Sequence, residues 1–532
     1  MRGSTKKLLK FITCGSVDDG KSTLIGRILY DCKLLYADQE QALILESRLG
    51  SRGGEIDYSL LLDGLSAERE QGITIDVAYR YFTTDVRSFI VADTPGHEEY
   101  TRNMAVGASF ADLAVILVDA SHGVLTQTRR HARICSFMGI KNFVFAVNKM
   151  DLVDYRKSSF DEISDEIFEL CKNIGITSFY VIPLSATQGD NVTKKLEKMC
   201  WYNGPTLLEY LETVEIFDDV KEDGFYMPVQ RVCRPNSDFR GFQGQIESGA
   251  VNVGDEIEIL PSLERAVVKS IFVLDKKTDY AFSGQAVTIC LDREVDISRG
   301  CVLQKDARLK TAKNFFAKVL WMDDVKLVPG KDYWIKIGTK MTPAVVTSIN
   351  CKIDVNSGEE IPVNSANKNE IVGCEIALSV LVPMAEFNTH KSMGGFILID
   401  RVSNSTSACG TIEKISQEKQ DGAVFDDFSK KIYVKLFDEF CYHPEIDAIL
   451  KHPHPPVSYF PGDALPLCSE GFNYPSDFDL LCGDTFANIR KGIFVGFGNK
   501  DEKYPLIDEN GFEIKKSGEI DFGQYRKIIV KK

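Results

Sequence analysis

The sequence predicts an α/β domain with a doubly wound parallel sheet, followed by two β-barrels. A further C-terminal domain follows, whose fold class the sequence does not indicate. Between residues 8 and 214, short apolar runs typical of buried parallel strands alternate with stretches of helical periodicity. After a polar linker at 218–224, β-rich runs with glycine turns fill 226–306 and then 314–412. A chain of 532 residues is also too long for one hydrophobic core.

These changes of pattern predict four domains. We expect an α/β domain over residues 1–217, one barrel over 225–312 and a second barrel over 313–412. The C-terminal extension, 413–532, is apolar enough to fold, although its residues indicate no activity. An additional surface for a partner protein is our hypothesis for this extension.

The first informative element is a glycine-rich loop at residues 15–22, Gly-Ser-Val-Asp-Asp-Gly-Lys-Ser. It follows an apolar run at 8–12 and precedes a helix-like run at 23–29, which is the strand–loop–helix order of phosphate-binding loops. Glycines let backbone N–H groups turn toward a phosphate, and the helix N-terminus adds further donors. The residues predicted to surround the phosphates are Gly15, Ser16, Val17, Asp18, Asp19, Gly20, Lys21, Ser22 and Thr23.

Two later segments predict that the nucleotide base is guanine. Asn148, Lys149 and Asp151 follow the apolar run 143–147, which is typical of a buried strand. A carboxylate at Asp151 accepts two hydrogen bonds from the guanine N1–H and exocyclic amine, a donor pair that adenine lacks. The stem of Lys149 either covers the base or braces the phosphate-binding loop.

A short loop of small residues completes the predicted base site. Ser185 and Ala186 follow the strand-like run 181–184 and come third in the order expected for a guanine site. On this basis we expect Ser185 and Ala186 to back the guanine.

The reaction centre is predicted after another buried strand, at residues 93–97, Asp-Thr-Pro-Gly-His. We expect Asp93 to hold Mg²⁺ through water and the Gly96 N–H to bond the γ-phosphate. His97 is placed to orient the attacking water, while Lys21 neutralises phosphate charge. Catalysis is therefore assigned to His97 and Lys21, together with Thr74.

Thr74 is the only hydroxyl in the charged run 68–76, which lies where a nucleotide-sensing switch is expected. We predict Ser22 and Thr74 as direct Mg²⁺ ligands, with Asp93 as the third member of the metal site. The predicted cofactors are GTP and Mg²⁺.

These motifs resemble a known family. Asp-Thr-Pro-Gly-His at 93–97, Arg-Glu-Gln-Gly-Ile-Thr at 69–74 and Asn-Lys-Met-Asp at 148–151 resemble the translation-factor class of GTPases. The segments 11–27 and 63–82 resemble, more narrowly, the GTPase subunit of bacterial ATP sulfurylase. Elongation factors usually carry histidine in place of Asp19 and threonine in place of Ser22. The resemblance extends over about residues 8–412.

This resemblance implies an α/β P-loop GTPase domain followed by two elongation-factor-like β-barrels. It also implies a heteromeric sulfate adenylyltransferase, in which GTP hydrolysis drives a smaller catalytic subunit. That subunit joins ATP and sulfate into adenosine 5′-phosphosulfate and pyrophosphate. Since the sequence holds one phosphate-binding loop and one guanine motif, we expect ATP and sulfate to act on the partner. The barrels are expected to transmit the switch state to that partner.

An alternative function is a GTP-dependent translation factor that binds tRNA or the ribosome. The nucleotide motifs fit both functions, but Asp19, Ser22 and the block 63–82 favour the sulfurylase subunit. The formal net charge of −14 also argues against a nucleic-acid partner, because phosphate backbones require a basic surface.

Composition limits the remaining classes. The 14 cysteines are scattered without a Cys-x-x-Cys pair, which is typical of buried thiols in a reducing compartment. His452 and His454 flank a proline, an arrangement more typical of an irregular loop than of a metal site. The sequence shows neither a signal peptide nor an 18-residue apolar span. We therefore expect a cytoplasmic protein without a membrane interaction.

Overall fold

The computed structural model describes residues 8–416 with short gaps, and the backbone of five strands between 478 and 514. The gaps are 35–40, 42, 46, 48–55, 62–73, 196, 217–223, 237–238 and 275. The chain divides into two compact units, residues 1–416 and 417–532. The predicted boundaries at 217, 312 and 412 remain predictions, and most of the predicted linker 218–224 lies outside the described residues.

The N-terminal part of the first unit is the predicted α/β domain, built on a six-stranded sheet. Its strands are β1 (Leu8–Cys14), β2 (Ala78–Thr83), β3 (Ser88–Asp93), β4 (Leu113–Asp119), β5 (Asn142–Asn148) and β6 (Ser178–Pro183), in the order β2-β3-β1-β4-β5-β6. Every pairing is parallel except the one between β2 and β3. The helices are α1 (Lys21–Asp31), α2 (Thr101–Phe110), α3 (Thr126–Phe137), α4 (Lys157–Ile174) and α5 (Leu207–Thr213).

Alternation along β1 shows how the sheet separates two layers of core. Leu9 and Phe11 point to the face covered by α1 and α5, and Ile12 and Cys14 point to the face covered by α2, α3 and α4. Such two-sided burial is what the continuous apolar runs predicted.

Parallel register brings the predicted site residues to one edge of this sheet. Thr13 of β1 pairs with Asp93 of β3, and Asp119 of β4 pairs with Asn148 of β5. The carboxyl ends of these strands therefore lie side by side, where doubly wound sheets bind ligands.

The next region forms the first β-barrel. Its strands are β7 (Phe225–Pro228), β8 (Arg231–Asn236), β9 (Phe239–Gln245), β10 (Ala250–Asn252), β11 (Glu256–Leu260), β12 (Glu264–Val273), β13 (Lys276–Thr278), β14 (Tyr280–Phe282), β15 (Ala286–Leu291) and β16 (Val302–Lys305). The main ladder runs β7-β16-β11-β12-β15-β9-β8. An antiparallel bridge between Tyr226 and Ser248 returns the chain after β9 to β7.

The second barrel is a closed ring of six strands. The elements are β17 (Lys310–Trp321), β18 (Asp332–Ile337), β19 (Lys340–Ile353), β20 (Glu360–Pro362), β21 (Ile371–Met384), α6 (Lys391–Gly394), β22 (Gly395–Asp400) and β23 (Thr406–Ile415). Pairing in the order β18-β22-β23-β17-β21-β19 closes through a further β18–β19 ladder. The rings of Trp321 and Tyr333 meet edge to face inside it, with centroids 5.8 Å apart. The second predicted barrel is thus confirmed as a closed ring.

The second barrel packs directly against the α/β domain. Arg133 of α3 donates to the Val355 carbonyl at 2.7 Å, and the Asn369 amide donates to the Glu98 carbonyl at 2.9 Å. Leu320 and Met322 belong to the same apolar cluster as the sheet residues on this side. The chain near Glu98, which follows the predicted reaction centre, is therefore in contact with a barrel.

The second unit contains antiparallel strands. β24 (Phe478–Cys482), β25 (Thr485–Arg490) and β26 (Ile493–Asn499) form one sheet, and β27 (Leu506–Ile507) pairs with β28 (Glu513–Ile514). The histidines at 452 and 454 lie outside the described residues. Across the described parts of both units, no helix has the length and apolar character needed to cross a lipid bilayer.

Candidate nucleotide-binding site

The loop at residues 15–22 connects β1 to α1 and surrounds one buried ammonium group. Lys21 is 7% exposed, and its Nζ donates to the Ser16 carbonyl at 2.7 Å and the Gly15 carbonyl at 3.2 Å. Burial lowers the pKa of Lys21, and the carboxylates of Asp93 and Asp19 oppose that shift. The loop therefore holds a positive charge at the helix N-terminus, as phosphate binding requires.

Three oxygen-bearing side chains meet beside this lysine. The Ser22 hydroxyl donates to Asp93 Oδ2 at 2.7 Å and lies 3.4 Å from Thr74 Oγ1. Burial raises the pKa of Asp93, while hydrogen bonding from Ser22 and the charge of Lys21 oppose it. Two hydroxyls and a carboxylate are the hard oxygen donors that Mg²⁺ prefers, so these residues fit the predicted metal.

The loop that follows β3 approaches the phosphate-binding loop closely. A Cβ on Gly96 would lie 2.7 Å from Lys21 Nζ and 2.8 Å from the Val17 nitrogen. Only glycine fits this approach without displacing the phosphate-binding loop. Gly96 therefore lies against Lys21 and the phosphate-binding loop, and a bond from its N–H to the γ-phosphate remains a prediction.

His97 lies at the rim of the site with an exposed ring. Its Nδ1 accepts the Glu99 N–H at 3.3 Å, which caps the short 3₁₀ turn Glu98–Tyr100. The ring lies against Tyr100, with centroids 6.1 Å apart. The turn thus fixes one side of the imidazole, and its role in hydrolysis remains a prediction.

Asn148 ties the two ends of the site together. Its Nδ2 donates to the Asp19 carbonyl at 2.7 Å, and its Oδ1 accepts the Ala186 N–H at 2.9 Å. Lys149 Nζ instead bonds Asp119 Oδ2 at 2.7 Å. Asn148 therefore makes the hydrogen bond to the phosphate-binding loop, the bracing function for which Lys149 was one candidate.

Asp151 carries an open acceptor. Its Oδ1 is buried and has no hydrogen-bond partner in the described part of the chain. Close by in sequence, the Met150 N–H donates to the Leu184 carbonyl at 3.2 Å, which ties this segment to the start of the Ser185 loop. An unpaired buried oxygen is costly, so this position favours a ligand that brings N–H donors. Guanine is such a ligand.

The sequence motifs did not predict two residues of this site. Asp119, at the end of β4, accepts hydrogen bonds from Lys149 and Ser121. Burial acts to raise its pKa, but those bonds outweigh burial and lower the pKa to about 2. A polar residue directly after the apolar run 114–118 was the available signal.

His131 is the second residue that was missed. It is 2% exposed on α3, and its Nδ1 accepts the Gly15 N–H at 3.1 Å. Burial, together with the nearby charge of Lys21, lowers the pKa of His131 to about 3. The neutral imidazole therefore supports the first glycine of the loop. Helical periodicity gave no indication of this contact.

Asp19, one of the residues that distinguishes this loop from those of elongation factors, acts inside the loop. Its Oδ2 accepts the Ser16 N–H at 2.5 Å, and its side chain is buried. Burial raises the pKa of Asp19 to about 6 despite the opposing charge of Lys21. Asp19 therefore closes the loop on itself through a buried carboxyl group.

Two family models match the chain. The Elongation factor Tu GTP binding domain matches residues 6–216, and the GTP-eEF1A C-terminal domain-like family matches residues 314–413. A solved structure of sup35 complexed with GDP is 24% identical, covers 77% of this chain and 95% of its own, and has a TM-score of 0.36.

Closer relatives are found among curated proteins. Sulfate adenylyltransferase subunit 1 of Saccharophagus degradans is 49% identical over 427 residues, which is 79% of this chain and 91% of that protein. The protein of the same name from Aliarcobacter butzleri is 50% identical over 428 residues, 80% of this chain and 91% of its own length. With the nucleotide-binding geometry described above, these matches show that the chain belongs to the family of sulfate adenylyltransferase subunit 1, enzymes built on a GTP-binding domain of the elongation factor Tu type.

Proposed function

We propose that this chain is the GTP-hydrolysing subunit of a heteromeric sulfate adenylyltransferase. Hydrolysis of GTP drives a smaller partner subunit to form adenosine 5′-phosphosulfate and pyrophosphate from ATP and sulfate. The observation that carries the GTPase half is the convergence of Ser22, Thr74 and Asp93 beside Lys21. Extensive identity to proteins named sulfate adenylyltransferase subunit 1 supports the sulfate half.

Phosphoryl transfer depends mainly on positioning and charge neutralisation. Lys21 supplies a buried positive charge to the β- and γ-phosphates, and the Gly96 N–H bonds the γ-phosphate. His97 orients the water that attacks the γ-phosphorus, which breaks the bond to the β–γ bridging oxygen and releases GDP and phosphate. Because the Glu99 N–H is bonded to Nδ1, Nε2 is the ring nitrogen that is available to the water.

Mg²⁺ fits this site because Ser22, Thr74 and Asp93 offer oxygen ligands. When bound, the ion neutralises charge on the β- and γ-phosphates. Ser22 lies at the start of α1, Thr74 just before β2 and Asp93 at the end of β3. A nucleotide that lacks its γ-phosphate has less to hold Thr74, so the chain around Thr74 reports the state of the nucleotide.

Base selection belongs to the other end of the site. Asp151 accepts the guanine N1–H and exocyclic amine, while Ser185 and Ala186 back the ring. Asn148 holds this loop to the phosphate-binding loop through Ala186 and Asp19. ATP, whose adenine lacks this pair of adjacent donors, is assigned to the partner subunit. Free thiols at the described cysteines are consistent with our further proposal of a cytoplasmic location.

GTP hydrolysis and the synthesis of adenosine 5′-phosphosulfate share no chemical intermediate in this proposal. The free energy released by GTP hydrolysis drives the synthesis. Formation of adenosine 5′-phosphosulfate from ATP and sulfate is uphill, and hydrolysis of GTP to GDP and phosphate is downhill. Contact between the second barrel and the chain at Glu98 offers a physical route, because the nucleotide-sensing loop and the barrel share a hydrogen bond. We propose that the barrels carry the switch state to the partner.

The experiment is to measure GTP turnover by the purified chain alone and then with the small subunit, ATP and sulfate. The proposal expects turnover to rise severalfold only with all three present. Omitting sulfate alone is the matched control, because it leaves the complex and both nucleotides in place. If GTP turnover is unchanged by the small subunit and sulfate but rises with ribosomes or tRNA, the result would favour the translation-factor alternative instead.

A further inference from the structure

The loop that follows Ala186 is held in place by a side chain from outside the predicted nucleotide motifs. We name residues 185–193 the guanine loop, since they begin with Ser185 and Ala186 and run to Thr193. Within the loop, the Gly189 N–H donates to the Ser185 carbonyl at 2.8 Å, and the Ser185 N–H donates to the Asp190 carbonyl at 3.0 Å. These bonds shape the loop, but they do not join it to the phosphate half of the site.

Asn148 makes one such connection, through Ala186 and Asp19. Arg27, on the second turn of α1, makes another. Its Nη1 donates to the Thr187 carbonyl, one residue beyond Ala186, at 3.0 Å. The guanidinium also packs against Gly189, where a Cβ would overlap it and where the backbone has φ +81. A larger residue at 189 is therefore excluded both by backbone conformation and by Arg27.

The orientation of Arg27 is itself fixed. Its Nε donates to Asp31 Oδ1 at 2.9 Å, and the two side chains are 18% and 14% exposed. The second oxygen of Asp31 accepts the Thr193 hydroxyl at 2.8 Å, at the far end of the guanine loop. One ion pair on α1 thus holds the loop at both Thr187 and Thr193.

The same guanidinium reaches the segment that leads toward Thr74. Nη1 lies 3.3 Å from the Tyr58 hydroxyl, and the guanidinium carbon lies 5.1 Å from the centroid of the Tyr58 ring. The Tyr58 backbone in turn packs on Gly26, where a Cβ would overlap the Tyr58 carbonyl. Arg27 therefore contacts both the guanine loop and the turn Tyr58–Leu61 from one helix.

From these contacts we propose that Arg27 is a positioning residue that slows the release of guanine nucleotides by bracing the guanine loop on α1. Because α1 begins with Lys21 and Ser22, the brace makes one rigid body of the base half and the phosphate half of the site. Release of a nucleotide then requires both halves to open together. The inference rests on the proposed guanine site, although it assigns no role to Arg27 in the chemical step.

The test measures dissociation of a fluorescent GDP, displaced by excess unlabelled GDP, from the full chain. Arg27→Ala removes several charge-assisted bonds, so release should be roughly 10-fold faster or more. Arg27→Lys keeps the charge near Asp31 but loses the fork that reaches Thr187, so its rate should be intermediate. Lys157→Ala breaks an i,i+4 ion pair with Asp161 on α4, and as the matched control it should release GDP at the wild-type rate.

A second readout separates positioning from a general loss of structure. Single-turnover hydrolysis at saturating GTP should stay within about 2-fold of wild type in Arg27→Lys, since the phosphate-binding groups are untouched. Release at the wild-type rate by both Arg27 variants would overturn the inference and leave the proposed function intact. Failure of the wild-type chain to bind GDP would overturn both.

Discussion

The two ends of the nucleotide site are prepared for their ligand in different ways. At the phosphate end, Lys21 bonds the carbonyls of its own loop, and Asp93 bonds Ser22 and Thr13. At the guanine end, Asp151 has a buried oxygen with no hydrogen-bond partner in the described residues. The polar side chains at the phosphate end are thus hydrogen-bonded within the protein, whereas the guanine end has an unpaired acceptor.

Affinity and selectivity therefore come from different ends of the site. The buried charge of Lys21 attracts any nucleoside phosphate, since the phosphates are common to all of them. The open oxygen of Asp151 is satisfied only by a base with suitably placed N–H donors. Substitutions at the two ends should therefore separate the strength of binding from the choice of base.

Lys21→Ala should produce the largest effect. Without the ammonium group, the phosphates lose their direct positive charge, and Asp93 and Asp19 lose the charge that opposes theirs. We expect GTP, GDP and xanthosine diphosphate all to lose at least about 100-fold in affinity, an order of magnitude set by loss of a charge-assisted contact. Isothermal titration calorimetry measures this, with Lys172→Ala, an exposed lysine on α4, as control. Wild-type affinity in Lys21→Ala would contradict the assignment.

His97→Ala should leave both ends of the site intact and impair the chemical step. The ring is exposed and holds only the local turn through Glu99, so GTP affinity should change less than about 3-fold. Loss of a positioned group that orders the attacking water should slow single-turnover hydrolysis roughly 100-fold. Tyr100→Phe, beside the same ring, is the control and should hydrolyse GTP normally. Undiminished hydrolysis by His97→Ala would remove the catalytic role.

Asp151→Asn should change the base preference and little else. The amide donates where the carboxylate accepted, which leaves guanine donors unpaired but suits the C2 carbonyl of xanthine. At about 1–3 kcal/mol for each unsatisfied group, GDP affinity should fall roughly 100-fold, while xanthosine diphosphate gains. Competition binding with both nucleotides measures the switch. Equal loss for the two bases would show that Asp151 does not contact the base.

Asp19→Asn should affect the nucleotide site least, and its effect should be visible as a change in how the free energy of unfolding depends on pH. Because the pKa of Asp19 is raised from 3.8 to about 6, the folded chain holds that proton more tightly than the unfolded chain. The resulting stabilisation is complete below pH 3.8 and is lost as the pH rises through about 6. Asparagine keeps an acceptor for the Ser16 N–H and never ionises.

The variant should therefore resemble wild type in stability at pH 4 and exceed it by about 3 kcal/mol at pH 7.5. Urea unfolding at the two pH values provides the measurement. Asp18→Asn, the exposed neighbour in the loop, serves as control. A stability difference between Asp19→Asn and wild type that is the same at both pH values would show that Asp19 does not titrate in this range.

The strands could be predicted from the sequence, whereas the contacts between the α/β domain and the second barrel could not. Continuous apolar runs identified the parallel strands because burial on both faces leaves no room for polar alternation, and their order placed Asp93 and Asn148 at one edge. The closing ladder between β18 and β19 and the packing of Glu98 against Asn369 depend on contacts between distant residues. Local patterns do not encode such contacts.

Residues whose partners lie far away in the sequence were the hardest to find. His131 and Arg27 lie on amphipathic helices, and helical periodicity singles out neither residue. Their partners, the Gly15 N–H and the Thr187 carbonyl, are backbone groups, which any sequence provides. Only the fold shows that these side chains end beside the nucleotide loops.

The most direct test of the central claim, that GTP hydrolysis drives sulfate activation, is the final amount of adenosine 5′-phosphosulfate formed by the reconstituted complex. With GTP, we expect the product to accumulate well beyond the level reached with the non-hydrolysable analogue GMPPNP or with no guanine nucleotide. We also expect the His97→Ala variant to lower the rate of this accumulation in proportion to its lower rate of GTP hydrolysis. The same final level with GTP and with GMPPNP would contradict the account, because GTP would then act as a ligand and not as an energy source.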